Sequence, residues 1–175
     1  LIISVITTTP PPLIGGKWNT GTKILIIFRL FKEQKKCYLI LNSPFEMTKN
    51  WLLNSGIFVS EPSEPNFGGV HSFYDEKNSE FAFLYPEITG YYASTMRFLY
   101  EHEKDEKYLH FAKASCNWLI DLYENFGGII QGISPQGITK KYVYSFDTAI
   151  CSKGLLDCYA ISKDNKFLEY AQKLN

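Results

Sequence analysis

Two carboxylic acids and a crowd of aromatic rings are the groups in this sequence with chemistry to offer. Glu87 in "YPEITG" and Asp147 in "SFDTAI" stand at matched points, just before or at the start of two similar stretches. Paired carboxyls can divide into a proton donor and a proton acceptor, and glycosyl transfer to water generally needs such a pair on either side of the bond that breaks. Asp75 in "FYDE" is the third acid of this kind. Each has a plainer reading. Acids at helix starts are ordinary capping devices, with Asp147 suited to the N-cap and Glu87 placed behind a proline that fixes the start of its helix. Asp75 also reads as a solvated loop residue.

The rings cluster in the same region. Phe67, Phe73, Tyr74, Phe81, Phe83, Tyr85, Tyr91 and Tyr92 fall within 27 residues, nearly twice the density of a chain that is 16% aromatic. Aromatic faces stack on the apolar faces of sugars and a tyrosine adds a polar tip, so Tyr74, Tyr85, Tyr91, Tyr142 and Tyr144 suit the binding of a carbohydrate. Core filling competes with that reading, because Phe81, Phe83 and Tyr85 alternate with Ala82 and Leu84 as a loop packed down on a core would. His71, beside Gly68 and Gly69, is a candidate proton shuttle and substrate contact, or a loop histidine held by a hydrogen bond. Lys140 and Lys141 offer charge for a carboxylate or phosphate, or a solvated surface.

These residues need elements to hold them, and an internal repeat shows which. With a shift of 59 residues Thr89 meets Thr148, Tyr100 meets Tyr159, Lys104 meets Lys163, Asp105 meets Asp164, Tyr108 meets Phe167 and Ala112 meets Ala171. A partial third copy lies upstream, where "NWLL" at 50–53 mirrors "NWLI" at 117–120 and each is followed by a Gly-Gly pair. Each unit reads as a helical hairpin. The stretches from Ile88 to about His102 and from Thr148 to about Ser162 are apolar or small most of the way round, which predicts inner helices buried on most sides. "DEKYLHFAKASCNWLIDLYE" carries Leu109, Ala112, Cys116, Leu119, Ile120 and Tyr123 at three- and four-residue steps, which predicts an outer helix buried along one stripe. Ser43, Pro44 and Glu46 announce an earlier outer helix that Gly56 stops. The inner-to-outer links are tight and the outer-to-inner links long, so a cleft is expected on the long-loop side, where the positive ends of the inner helices converge.

The order of the Gly-Gly pair, the ring-rich loop, "YPEITGYY", the "KDEKYL" turn, the "NWL" helix and "FDTA" resembles the six-hairpin glycosidase-like superfamily and its relatives among sugar epimerases and uronyl hydrolases. The resemblance covers roughly 44–175. It implies an all-α, mainly α/α-toroid architecture of which this chain holds about two and a half to three hairpins over residues 43–175, preceded by an irregular or β-like segment at 1–42. Six hairpins of this length need about 350 residues, so the expectation is an incomplete ring, either inactive alone or completed by C-terminal hairpins or self-association. The implied activity is that of a glycoside hydrolase or a sugar epimerase acting on a carbohydrate or uronate-like ligand, with catalytic acids on the long-loop rim.

Composition narrows the other classes. Eighteen basic against eighteen acidic side chains give no net charge, which argues against a nucleic-acid partner. No apolar run approaches the roughly 20 residues of a membrane span, so no membrane partner is expected. The cysteines, Cys37, Cys116, Cys151 and Cys158, lack CxxC spacing and do not group with the histidines, which predicts buried thiols, no metal, no cofactor and a cytoplasmic setting. Two other functions compete. One is a non-catalytic helical-repeat scaffold for protein assembly. The other is a terpenoid cyclase-like toroid, which shares the aromatic lining but would want an Asp-rich DxDD or DDxxD stretch that the sequence lacks.

Overall fold

The computed structural model describes residues 43–134 and 137–175, with the side chains of 138–140 left aside. The β-like segment expected at 1–42, Cys37 within it and the Lys140 side chain lie outside what is described. The chain divides into two units at Met47 and Thr48, and the fold below is that of the second.

The protein is mainly helical. Its elements are α1 (Pro44–Asn54), a short hairpin of β1 (Tyr74–Asp75) and β2 (Glu80–Phe81), α2 (Pro86–Glu103), α3 (Glu106–Phe126), a longer hairpin of β3 (Ile130–Ser134) and β4 (Gly137–Val143), α4 (Ser145–Ser162) and α5 (Asn165–Lys173). α1 begins at its proline and ends before Gly56, which takes φ 86°. The repeat seen in sequence is a repeat in structure. α2 turns into α3 through Lys104 at φ 57°, whose N–H donates to Tyr100 O, and Asp105, whose carboxylate accepts from the Lys107 N–H at 3.0 Å. α4 turns into α5 through Lys163 at φ 58° and Asp164, with the same bonds to Tyr159 and Lys166. Both left-handed lysines do what glycine usually does at a helix end, closing the orphan carbonyls of the last turn.

α2 and α4 lie side by side and run the same way. Cys151 Sγ donates to Pro86 O at 3.2 Å, Lys153 reaches Ser94 at 3.1 Å, and Arg97 pairs with Asp157 at 2.7 Å, so contacts advance together along both helices. Two glycines allow this approach. A Cβ on Gly154 would stand 2.8 Å from Gly90 O, and one on Gly90 would stand 2.8 Å from Ile150 O. Arg97 and Lys153 both bind the Asp157 carboxylate; burial alone would raise that acid, and the two cations with Ser94 hold it below its ordinary value instead. A nearly buried carboxylate with paired cations fixes the register of the two helices more than it stabilises them.

α3 packs antiparallel to α2, and the core between these helices holds Met96, Leu99, Tyr108, Ala112, Cys116, Leu155, Cys158 and Phe167, all fully or almost fully buried. Tyr108 and Phe167, and Ala112 and Ala171, fill the same places in successive units. Cys116, Cys151 and Cys158 are buried free thiols.

One expectation is corrected here. α3 is not buried along one stripe, since Ala114, Ser115, Trp118 and Leu122 are buried together with Cys116, Leu119 and Ile120. The reason is that the long segments wrap it. Gly68, at φ 97°, lays its backbone directly on the Ala114 carbonyl, and Leu84 packs on Trp118, Leu119 and Leu122. The inner helices, expected to be buried on most sides, still leave some apolar side chains open: on α4 Phe146 is 61% and Leu156 42% exposed. The two Gly-Gly pairs also differ in role, because Gly127 ends α3 at φ 70° whereas Gly68 serves the close approach to α3.

Candidate functional site

The long links are ordered by backbone pairing. Phe58 bridges to Val70, His71 to Leu84, and Leu84 to Ile133, which itself pairs with Ile138 in β4. The outer-to-inner segments thus lie antiparallel beside one another, an irregular sheet whose members are joined by single bridges. Tyr85 leaves this array, its N–H donating to Val70 O at 2.9 Å, and becomes the N-cap of α2. Tyr144 leaves β4 and becomes the N-cap of α4. The two starts are built alike: Thr89 and Thr148 each return both the backbone N–H and the hydroxyl to the carbonyl of the capping tyrosine.

Asp147 is therefore not an N-cap, which corrects the sequence reading; it is the third residue of α4, and Glu87 is the second residue of α2. Both carboxyls act on the Tyr85 phenol. Burial first, then interaction with the Glu87 carboxyl and the charge of Asp147, hold the Tyr85 phenol well above its ordinary value. Asp147 is only 4% exposed, and its Oδ2 has no hydrogen-bond partner. Burial, followed by the charge of Glu87, raises the Asp147 carboxyl above the usual carboxylate range, although Tyr85 and its own backbone N–H act the other way. Unequal surroundings are how a fold sets two like carboxyls apart as proton donor and proton acceptor. Below them Cys151 is buried, and desolvation with the charges of Asp147 and Glu87 pushes its thiol far up, so it stays protonated and unreactive.

The other acid does not join them. Asp75 turns its carboxylate into its own hairpin, accepting from the N–H groups of Lys77 (2.9 Å) and Asn78 (3.3 Å) and from the Asn78 side chain (2.9 Å). Its role in the structure is to close the β1–β2 turn. Tyr74, on the same hairpin, packs edge-on against Phe81 at 5.1 Å. Tyr142 and Tyr144 pair at 6.3 Å and are both exposed, flanking the start of α4. Phe83 lies 5.6 Å from Tyr85, so that ring does belong partly to packing.

His71 and Tyr91 meet instead in a cavity of about 270 Å³ between α1 and α2, together with Trp51, Ile88, Tyr92 and Thr95. His71 Nδ1 is 2.6 Å from Ala82 O. A carbonyl only accepts, so Nδ1 carries the hydrogen and donates it. The ring stacks on Phe81 at 5.0 Å. Glu87 and Tyr91 are four apart on α2, so the carboxyl pair and this cavity adjoin along one face of the helix. Trp51 was missed from sequence because it read as part of a repeated helix motif; its 48% exposure beside a half-buried histidine is visible only in the fold.

Among the described residues no group of three or more His, Cys, Asp or Glu is placed to hold a metal ion. No helix among them is long and apolar enough to cross a membrane. The chain matches no protein-family model, and comparison with curated proteins and with solved structures gave no match either.

Proposed function

We propose that this protein is a carbohydrate-active enzyme of the α/α-toroid type, a glycoside hydrolase or sugar epimerase, acting on a carbohydrate or uronate-like ligand at the rim where α2 and α4 begin. The observation that carries the reading is the convergence of Glu87 and Asp147 on Tyr85 at two parallel helix starts, with Asp147 buried and one of its oxygens unpartnered. In this reading Asp147 holds the proton and Glu87, half-buried and nearer solvent, is the base that meets a sugar hydroxyl or an attacking water. Tyr85 lies between them as the path by which the proton returns. Tyr91 and Trp51 in the adjoining cavity offer faces for a neighbouring sugar ring.

The test is turnover of nitrophenyl glycosides and of neutral and uronic oligosaccharides by the wild type, E87Q and D147N. Either amide lowers turnover by about 10²- to 10⁴-fold with the helical circular dichroism intact. Full turnover in both variants excludes acid or base roles for the pair.

A second reading, a non-catalytic helical-repeat scaffold, draws on the exposure of Phe146 and Leu156 on α4. Large apolar side chains left open on one helix suit association with another chain or another copy. Light scattering separates the two readings, since a monomer at high concentration counts against the scaffold.

A further inference from the structure

A second cavity, of about 440 Å³, opens on the flank of α3 away from the carboxyl pair's own lining residues, within the range of small-ligand sites. Its polar wall is Asn117, Asp121 and Asn125, spaced at four-residue steps on α3 and all exposed, faced by Asn66 across the gap. Phe67 and Phe126 supply rings at its sides, and Trp118 lies between them, almost fully buried.

The amides are oriented by bonds on their oxygen side. Trp118 Nε1 donates to Asn66 Oδ1 at 3.4 Å, which leaves the Asn66 amide hydrogens pointing elsewhere. Lys166 Nζ donates to Asn117 Oδ1 at 3.1 Å, with the same result for Asn117. Asn66 is further held by its backbone, at φ 65° with its carbonyl accepting from the Gly69 N–H at 2.9 Å. The lining therefore combines two amides whose oxygens are already engaged, one further amide at Asn125 and one carboxylate acceptor at Asp121, beside aromatic rings. Alternating donors and acceptors next to a ring suit a polyol, whose adjacent hydroxyls both give and take hydrogen bonds and whose C–H face stacks. Asp121 disfavours an anion, and the Lys166 ammonium beside this wall is engaged by Asn117 Oδ1.

We infer that this flank is a binding site for a neutral glycan segment of about one or two sugar rings, separate from the reacting carboxyls. It rests on different residues from the proposed catalytic pair and stands whether or not that pair is catalytic.

The experiment is a titration of the full chain with xylotriose, cellotriose, maltotriose and mannotriose, followed by the side-chain amide and indole signals of Asn66, Asn117, Asn125 and Trp118 in nuclear magnetic resonance. At least one trisaccharide shifts those signals together. The double variant D121A/N125A weakens that binding by about tenfold or more, as loss of a hydrogen bond to a charged group does. D121N, which keeps the shape of an exposed side chain, weakens it in the same direction and stands in if the double variant does not fold. The double variant E87Q/D147N binds as the wild type does, whatever its turnover. The inference is overturned if none of the four sugars shifts those signals, if shifts occur only around Tyr85 and Tyr91, or if D121A/N125A and D121N bind unchanged.

Discussion

The two ends of the paired hairpins have diverged by very different amounts. At the turn end, Lys104 and Lys163 differ by a degree in φ, and Asp105 and Asp164 cap the next helix with the same bond at the same 3.0 Å. At the rim end the tyrosine caps and their threonines still match, but the first turns do not: Pro86 and Glu87 follow Tyr85, whereas Ser145, Phe146 and Asp147 follow Tyr144. The turn end has one task, to reverse the chain, and one solution serves both copies. The rim keeps only the backbone of the common solution and changes the side chains around it. A turn kept alike and a rim allowed to vary, on a shared backbone, is one way chemistry is added to a fold without disturbing what holds it.

That contrast holds only if the two rims are one rim, which depends on the contact between Gly90 and Gly154. In the middle of an exposed helix Gly to Ala gains about 1 kcal/mol, through propensity alone. Here the added methyl would press on backbone, which cannot swing aside as a side chain can. Gly154→Ala is therefore expected to cost about 2–3 kcal/mol in urea unfolding, with the sign opposite to propensity. A gain in stability would show that α2 and α4 do not approach in this way and would separate Asp147 from Tyr85 and Glu87.

The next effect is smaller and tests the other end. Asp164→Ala should cost about 1 kcal/mol, the ordinary loss of an N-cap, and Asp105→Ala should act in the same direction. Neither should alter the rim, and being in separate turns they should add. Unfolding that responds to one and not the other would break the equivalence of the two hairpins on which the comparison rests.

The turn end was legible in the sequence because its signals are local. A lysine and a capping aspartate at fixed spacing, followed by a helix with Tyr108 or Phe167 on its buried side, specify the turn without reference to anything distant. The parallel inner helices and the placement of acids at one rim followed from the same repeat. What the pattern did not carry was tertiary. Ala114, Ser115 and Trp118 fall off the expected stripe of α3, and nothing within α3 tells that Gly68 and Leu84 will cover it. Asp75 looked equivalent to the other acids by type, and only its bonds to Lys77 and Asn78 assign it to a turn. Asn117, Asp121 and Asn125 lie off the apolar stripe of α3, and their spacing gains meaning only with Asn66 across from them.

The last prediction concerns a slope rather than a step. Asp147 has a carboxyl raised by burial and by Glu87, so the folded protein binds its proton more tightly than the unfolded chain does. Its contribution to stability is then fully present below the ordinary carboxylate range near pH 4, and is lost as pH rises through the raised folded value. D147N cannot titrate and has no such dependence. Measured by urea unfolding from about pH 3 to 8, the wild type should gain on D147N as the pH falls through the folded value, and the two curves should run parallel below about pH 4. The opposite slope would mean that the helix start and Tyr85 outweigh burial at this carboxyl. Burial would then not set the two acids at the rim apart, and the rim end would differ from the turn end in sequence but not in chemistry.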